Sequence, residues 1–84
     1  LVNKMQEDLH EAGELIEMIC EDSDCSKRLK EHLMEVKKIL EGEEELKVQK
    51  AIHSVEELDL QGISTYLRSQ MWDLISLLES MTAS

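Results

Sequence analysis

Residues 25–40 read CSKRLKEHLMEVKKIL, and their pattern sets the fold class of the whole chain. The apolar residues are spaced by four, four, three and four positions. An α-helix turns once every 3.6 residues or so, and this spacing therefore places them on one face, with charged residues between them. The stretch predicts an amphipathic helix over residues 26–41, with an apolar row of Cys25, Leu29, Leu33, Val36 and Leu40.

Three other stretches have the same spacing, and they predict helices over about residues 3–21, 44–58 and 64–81. Short polar connections between consecutive helices require them to run antiparallel. We therefore expect an all-α, up-and-down four-helix bundle that forms a single domain over residues 1–84. The predicted rows are Val2, Met5, Leu9, Ala12, Leu15, Ile16 and Ile19; Val48, Ala51, Val55 and Leu58, flanked by Leu46 and Ile52; and Ile63, Leu67, Met71, Leu74, Leu78 and Met81.

Polar residues mark the ends of these helices. The side chains of Ser26 and of Ser64 or Thr65 are suited to cap the second and fourth helices. Gly42 is a typical helix stop. The acidic residues 43–45 then follow where the positive end of a third helix would attract negative charge.

A weak internal repeat relates the two halves of the chain. A shift of 38 residues places the row from Cys25 to Leu40 on the row from Ile63 to Leu78, and Ser26 on Ser64. Two similar helical hairpins packed face to face would produce this repeat, because one hairpin cannot bury its own apolar face. A chance match of two helical rows is the alternative.

The overall charge narrows the classes of partner. The chain has a formal charge of −10, from 19 acidic and 9 basic residues, which disfavours nucleic acids and anionic membranes. No apolar run approaches the roughly 20 residues of a membrane span. Residues 1–4 do not resemble a signal peptide, and two cysteines are too few for a disulfide scaffold. We expect a cytoplasmic protein.

The usual signatures of catalysis and metal binding are missing from the sequence. It has no phosphate-binding loop, no nucleophile elbow and no zinc helix. The aspartates of residues 22–24 resemble the start of a calcium loop, but the required Gly and Glu do not follow. We expect no enzyme, no cofactor, no metal and no small-molecule substrate. The histidines predicted to lie at the surface or core boundary are His10, His32 and His53.

The two cysteines, Cys20 and Cys25, lie on either side of the end of the first predicted helix. A structural zinc needs four ligands, and no further pair supplies the rest. A reversible disulfide is an alternative if the α-carbons come within about 7 Å. We expect both residues in the core or at its edge.

An acidic ridge runs along the first predicted helix. Residues 1–25 hold eight acids and one base, a net charge of −7, whereas residues 26–41 have a net charge of +2. A basic partner or loosely held divalent ions could use the ridge, and a solvated face is the simpler interpretation. The ridge consists of Glu7, Glu11, Glu14, Glu17 and Glu21.

Trp72 is the most informative single residue. It lies one position off the buried row of the fourth helix, on a row with Arg68 and Ile75. The Arg68 guanidinium could stack on the indole, and exposed Trp and Arg are typical of binding hot spots. Because the chain has only one other aromatic residue, Tyr66, we expect Trp72 to fill the core or its edge.

The fourth helix also carries a family resemblance. Residues 63–79 read ISTYLRSQMWDLISLLE and resemble the closing segment of a small, uncharacterised archaeal family (UPF zero-one-four-seven). The likeness extends upstream through the acidic residues 43–45 and the helix at residues 15–19. Its most specific matches are Arg68, Trp72, Ile75, Ser76, Leu78 and Glu79.

The resemblance implies a bromodomain-like four-helix bundle and an archaeal, cytosolic origin, and it implies no activity. The family typically has proline near the starts of its second and fourth helices, where this chain has Ser26 and Ser64. Serine can cap a helix, so the fold is compatible with this departure. The acetyl-lysine chemistry of true bromodomains does not carry over, since Asn3 is the only asparagine.

Two functions follow as the main hypotheses, and an enzyme or metal-dependent protein that uses Cys20, Cys25 and a histidine is a third, minor one. The first is a small protein-interaction or adaptor module that uses the acidic ridge (Glu7, Glu11 and Glu14) or the pair Arg68 and Trp72. The alternative is a self-associating structural protein, a homodimer without enzymatic activity. In that dimer, surplus apolar residues would meet across a two-fold axis, namely Leu1, Leu46, Leu60 and Leu77.

Overall fold

Four α-helices account for most of residues 3–82, the part of the chain that the computed structural model describes. None of these residues lies in a β-strand, and the predicted all-α class is confirmed. Leu1 and Val2, which the sequence placed on apolar surfaces, lie outside the described residues. The helices are α1 (Lys4–Glu21), α2 (Lys27–Glu41), α3 (Lys47–Glu56) and α4 (Thr65–Thr82).

The helices pack as a ring in chain order. Each helix packs against its neighbours in sequence, and α1 also packs against α4. Because the connections are short, consecutive helices run antiparallel. This arrangement confirms the predicted up-and-down four-helix bundle.

The core is aliphatic, and its buried side chains form one cluster. The 38-residue repeat is visible in its burial pattern, because four consecutive positions of each related row are buried. The exception is the first position, where Cys25 is buried and Ile63 is half-buried. The matched buried residues are Leu29, Leu33, Val36 and Leu40 in α2, and Leu67, Met71, Leu74 and Leu78 in α4.

The two related helices also begin in the same way. The Ser26 hydroxyl accepts a hydrogen bond from the Leu29 amide at 3.1 Å, and the Ser64 hydroxyl accepts one from the Leu67 amide at 3.1 Å. Each serine thus satisfies a free N–H group of the first helical turn. The predicted caps are confirmed, and at the fourth helix the residue is Ser64 rather than Thr65.

The predicted bounds of α3 are wrong, since the helix spans Lys47–Glu56 and not residues 44–58. The acidic residues 43–45 form a connection in which the Lys47 amide donates to the Glu44 carbonyl at 3.2 Å. The Glu44 carboxylate pairs with Lys50. The Glu44 carboxylate therefore forms an ion pair with Lys50 of α3, although Glu44 itself lies before the start of that helix. The other three helices begin and end within one residue of their predicted bounds.

Met5, a predicted core position, is exposed, and so is Leu46, which the sequence placed beside the row of α3 and among the surplus apolar residues. Met5, in the first turn of α1 and hence at the end of the bundle, is 42% exposed, and Leu46, which precedes α3, is 55% exposed. Asp8, three residues after Met5, is by contrast buried. Its carboxylate lies 3.6 Å from the Lys4 ammonium, one turn earlier in α1. The apolar pattern did not predict a buried carboxylate here. The ion pair with Lys4 offsets part of the free-energy cost of burying its charge.

Glycine 13 lies in the interior of α1 without a steric need for glycine. An added Cβ would lie 3.7 Å from Lys37 Cε, an ordinary contact. We therefore expect Gly13→Ala to raise the free energy of unfolding by about 0.5–1 kcal/mol. Urea denaturation followed by circular dichroism measures this change. Gly62→Ala is the matched comparison, because Gly62 has a φ of 83° and alanine there should cost about 1–2 kcal/mol. Equal effects at the two glycines would contradict this assignment.

The two serine caps provide a second test. Ser26→Ala and Ser64→Ala should each lower the free energy of unfolding by about 1 kcal/mol. Their effects should add, because they act at different helix ends. Ser69→Ala is the control, since Ser69 is an exposed residue inside α4 and alanine is the better helix former. A loss at Ser69 as large as at the caps would rule out capping as the cause.

Candidate interaction surface

Trp72 is exposed, and the expectation that it fills the core or its edge is wrong. Trp72 is 57% exposed to solvent, whereas the preceding residue, Met71, is fully buried. One step along a helix rotates the side chain by about 100°, so the residue after a buried position points away from the core. Aliphatic residues complete the core, and the largest apolar side chain of the protein lies in solvent.

Trp72 belongs to a continuous row on α4 that we call the Trp72 edge: Arg68, Trp72, Ile75 and Glu79. Spacings of four, three and four residues place the row along one side of the helix. Ile75 is half-buried, and the other three residues are exposed. The row therefore presents a cation, an indole, an aliphatic side chain and an anion in order along the helix.

Arg68 is held in place by the connection between α3 and α4. Its guanidinium Nη2 donates a hydrogen bond to the Leu60 carbonyl at 3.2 Å. Leu60 precedes α4 in the chain, so this hydrogen bond ties the start of the edge to the α3–α4 connection. Stacking of Arg68 on Trp72 stays a prediction, and the contact with Leu60 already restricts this long side chain.

The acidic ridge on α1 is exposed along its whole length. Two of its five carboxylates have partners within the chain: Glu14 pairs with His10, and Glu17 pairs with Lys37 of α2. Among residues 3–82, Glu7 and Glu11 have no ion pair. No hydrogen bond or ion pair joins the ridge to the Trp72 edge within residues 3–82, although α1 packs against α4.

The pair of Glu17 and Lys37 links α1 to α2. The hydrogen bond from Lys37, together with its charge, lowers the pKa of Glu17, and the same hydrogen bond raises the pKa of Lys37. Both groups are therefore charged at neutral pH. The contribution of Glu17 to stability is present above the ordinary carboxyl pKa and is lost as the pH falls through the lowered value.

The histidines lie at the surface or at the boundary of the core, as expected. His10 and His53 are exposed, and His53 pairs with Glu57. His32 is half-buried, and its Nε2 lies 2.8 Å from the Ser54 carbonyl oxygen. A carbonyl can only accept, so this nitrogen carries the proton and donates. His32 thus connects α2 to α3.

The cysteines have the character of core residues. Cys25 is buried and Cys20 is half-buried. Burial raises the pKa of both thiols, which keeps them protonated and weakly nucleophilic at neutral pH. Within residues 3–82, no three His, Cys, Asp or Glu side chains are grouped so as to hold a metal ion.

One feature of the surface was not predicted. An open cleft of about 840 Å³ lies at the end of the bundle where the α1–α2 and α3–α4 connections meet. Its residues come from distant parts of the sequence, so no local motif could indicate it. Carboxylates and cations mix along its walls, and this mixture favours no single class of ligand. The charged lining residues and their neighbouring histidine are Asp24, Arg28, His32, Glu57 and Asp59.

No helix within residues 3–82 has the length and the apolar composition needed to cross a membrane. Comparison with known proteins gives no family assignment: no protein-family model, no curated protein and no solved structure matches this chain.

Proposed function

We propose that this chain is a small protein-interaction module that binds its partner through the Trp72 edge. The observation that carries the proposal is the 57% exposure of Trp72. An indole in water exposes a large apolar surface, and covering this surface with a partner stabilises the complex. Tryptophan and arginine are also the residues most enriched in binding hot spots, and the edge contains one of each.

The composition of the core supports this interpretation. The chain has two aromatic residues, Tyr66 and Trp72, both lie on α4, and both are exposed. The core is packed with Leu, Ile, Val, Met and Ala instead. Packing of residues 3–82 therefore gives no reason for a tryptophan at position 72, and recognition of a partner gives one.

The position of Arg68 favours a preorganised surface. Its hydrogen bond to the Leu60 carbonyl restricts the side chain before any partner arrives. Less side-chain entropy is then lost on binding than for a free arginine. Arg68 is also the only lysine or arginine after Lys50, so the second half of the chain presents its positive charge at this edge.

The acidic ridge supports a protein partner less directly, because Glu14 and Glu17 are already paired within the chain. Its use by a basic partner stays a prediction. The net charge of −10 favours a protein over a nucleic acid as the partner.

The proposal includes no catalytic step and no cofactor. Free thiols at Cys20 and Cys25 suit a reducing compartment and support a cytoplasmic location. Membership of the archaeal family also stays a prediction.

Affinity capture from a lysate of the source organism tests the proposal. We expect wild type to retain a partner that Trp72→Ala loses, with a decrease in affinity of about 30-fold or more, because truncation of a hot-spot tryptophan costs at least about 2 kcal/mol. The decrease is measured by titration of the captured partner against both chains.

Two controls make this result specific. Met18→Ala removes a side chain of comparable exposure, 52%, from α1, and it should leave capture unchanged. Reversal of Glu7, Glu11 and Glu14 to Lys tests the ridge in the same experiment. Equal capture by wild type and Trp72→Ala, with both chains folded by circular dichroism, would refute the role of the edge.

A further inference from the structure

We infer that the occupant of the Trp72 edge is a second copy of this chain, packed antiparallel through α4 about a two-fold axis. The inference rests on the proposed function and names its partner. It follows from the order of the four side chains along the edge, from their charges and from the character of α4.

The edge is self-complementary when α4 meets an antiparallel copy of itself. Arg68 and Glu79 are equally distant from the point midway between Asp73 and Leu74, and so are Trp72 and Ile75. In a two-fold contact, a residue before this midpoint meets the residue at the same distance after it in the second copy. Arg68 then faces Glu79 of the second copy, and Trp72 faces its Ile75. Each of these pairs occurs twice.

The charges of the edge are unmatched within the chain. Arg68 and Glu79 are exposed, and in the described residues neither forms an ion pair. In parallel packing, by contrast, Arg68 would lie beside Arg68 of the second copy. The order of charges therefore selects the antiparallel arrangement, which is the usual role of charge at an interface.

α4 has the smallest fraction of charged residues of the four helices. It contains three charged residues among its 18, namely Arg68, Asp73 and Glu79. Each copy carries a net charge of −10, but residues 60–84 carry only −1. Contact through α4 thus keeps most of the negative charge of the two chains apart.

The apolar residues of α4 exceed what the core of one copy covers. Tyr66 and Trp72 are exposed, and Ile75 and Leu77 are half-buried. A helix with apolar residues beyond one stripe is typical of a helix covered on more than one side. Of these residues, Trp72 and Ile75 lie on the Trp72 edge, whereas Tyr66 and Leu77 lie on the opposite side of α4. The edge thus offers an exposed indole and the uncovered part of Ile75 to a second chain.

α3, which packs against α4, is much shorter than α4. α3 has 10 residues against 18 in α4, so it is about 15 Å long beside a helix of about 27 Å. Since α3 ends where α4 begins, it runs along the first half of α4. α3 therefore does not run beside the second half of α4, which contains Ile75 and Glu79.

Sedimentation equilibrium over a concentration series, supported by light scattering, tests the inference. We expect wild type to pass from monomer to dimer as its concentration rises. Trp72→Ala should raise the dissociation constant about 30-fold. Arg68→Glu and Glu79→Arg, each of which places like charges together twice per dimer, should each raise it about tenfold. The double variant Arg68→Glu/Glu79→Arg should return to within a few-fold of wild type, because both ion pairs form again with reversed sign.

Asp73→Arg is the matched control. It changes the net charge by the same amount as Glu79→Arg, but Asp73 lies off the edge on the outer face of α4, where it is exposed. It should affect dimerisation only through the overall charge. Arg68→Glu also removes the hydrogen bond to Leu60, which the double variant does not restore, so rescue in the double variant would report the pairing across the interface. Thermal melting of every variant confirms that the bundle is intact.

Trp72 is the only tryptophan, and its fluorescence gives a second readout. Its emission should shift to shorter wavelength as the dimer forms and should stay unshifted at dilutions where the chain is monomeric. A dimer in which the double variant is as weak as the single reversals would overturn the antiparallel pairing.

The outcomes separate this inference from the proposed function. A wild-type chain that stays monomeric at every concentration, while Trp72→Ala loses another protein in the capture experiment, would refute the second copy and keep the interaction module. A dimer that Trp72→Ala leaves unchanged would refute the assignment of the edge in both.

Discussion

The apolar rows of the four helices are buried only because the two hairpins pack against each other. A hairpin of two amphipathic helices leaves part of its apolar surface in water, and the second hairpin covers it. Leu33, Val36, Leu67 and Leu74 reach complete burial in this way. The polar contacts act mainly on how the helices begin and align. These contacts are the serine caps, the ion pair between α1 and α2 and the hydrogen bond from His32 to Ser54. The free energy of folding comes chiefly from the shared core.

The rows and the helix starts could be predicted from the sequence because they depend on local periodicity and local hydrogen bonding. All five residues predicted for the row of α2 are buried, and Ser26 and Ser64 cap as expected. The start of α3 could not be predicted in the same way. Three consecutive glutamates suit the positive end of a helix, but they equally suit a connection whose carboxylate reaches Lys50. Local sequence does not distinguish these two uses.

The exposure of Trp72 was also beyond prediction from spacing alone. A residue one step from the buried row is covered or exposed according to how closely the next helix approaches. That approach depends on how the helices pack in three dimensions, which the spacing of residues within one helix does not report. The spacing of Arg68, Trp72, Ile75 and Glu79 was readable from the start, but their accessibility was not. The pattern of the candidate surface could therefore be predicted from the sequence, whereas its exposure is seen only in the structure.

The short α3 has a consequence for the motions of the bundle. It has 10 residues, and no side chain hydrogen-bonds to the N–H groups of its first turn, whereas α1 and α2 have such bonds. Helices of this length depend almost wholly on tertiary packing for their stability. Segments with few local supports open first in native-state hydrogen exchange. We therefore expect the amides of α3 to exchange fastest among the four helices, so that the bundle opens locally at α3 before it unfolds as a whole.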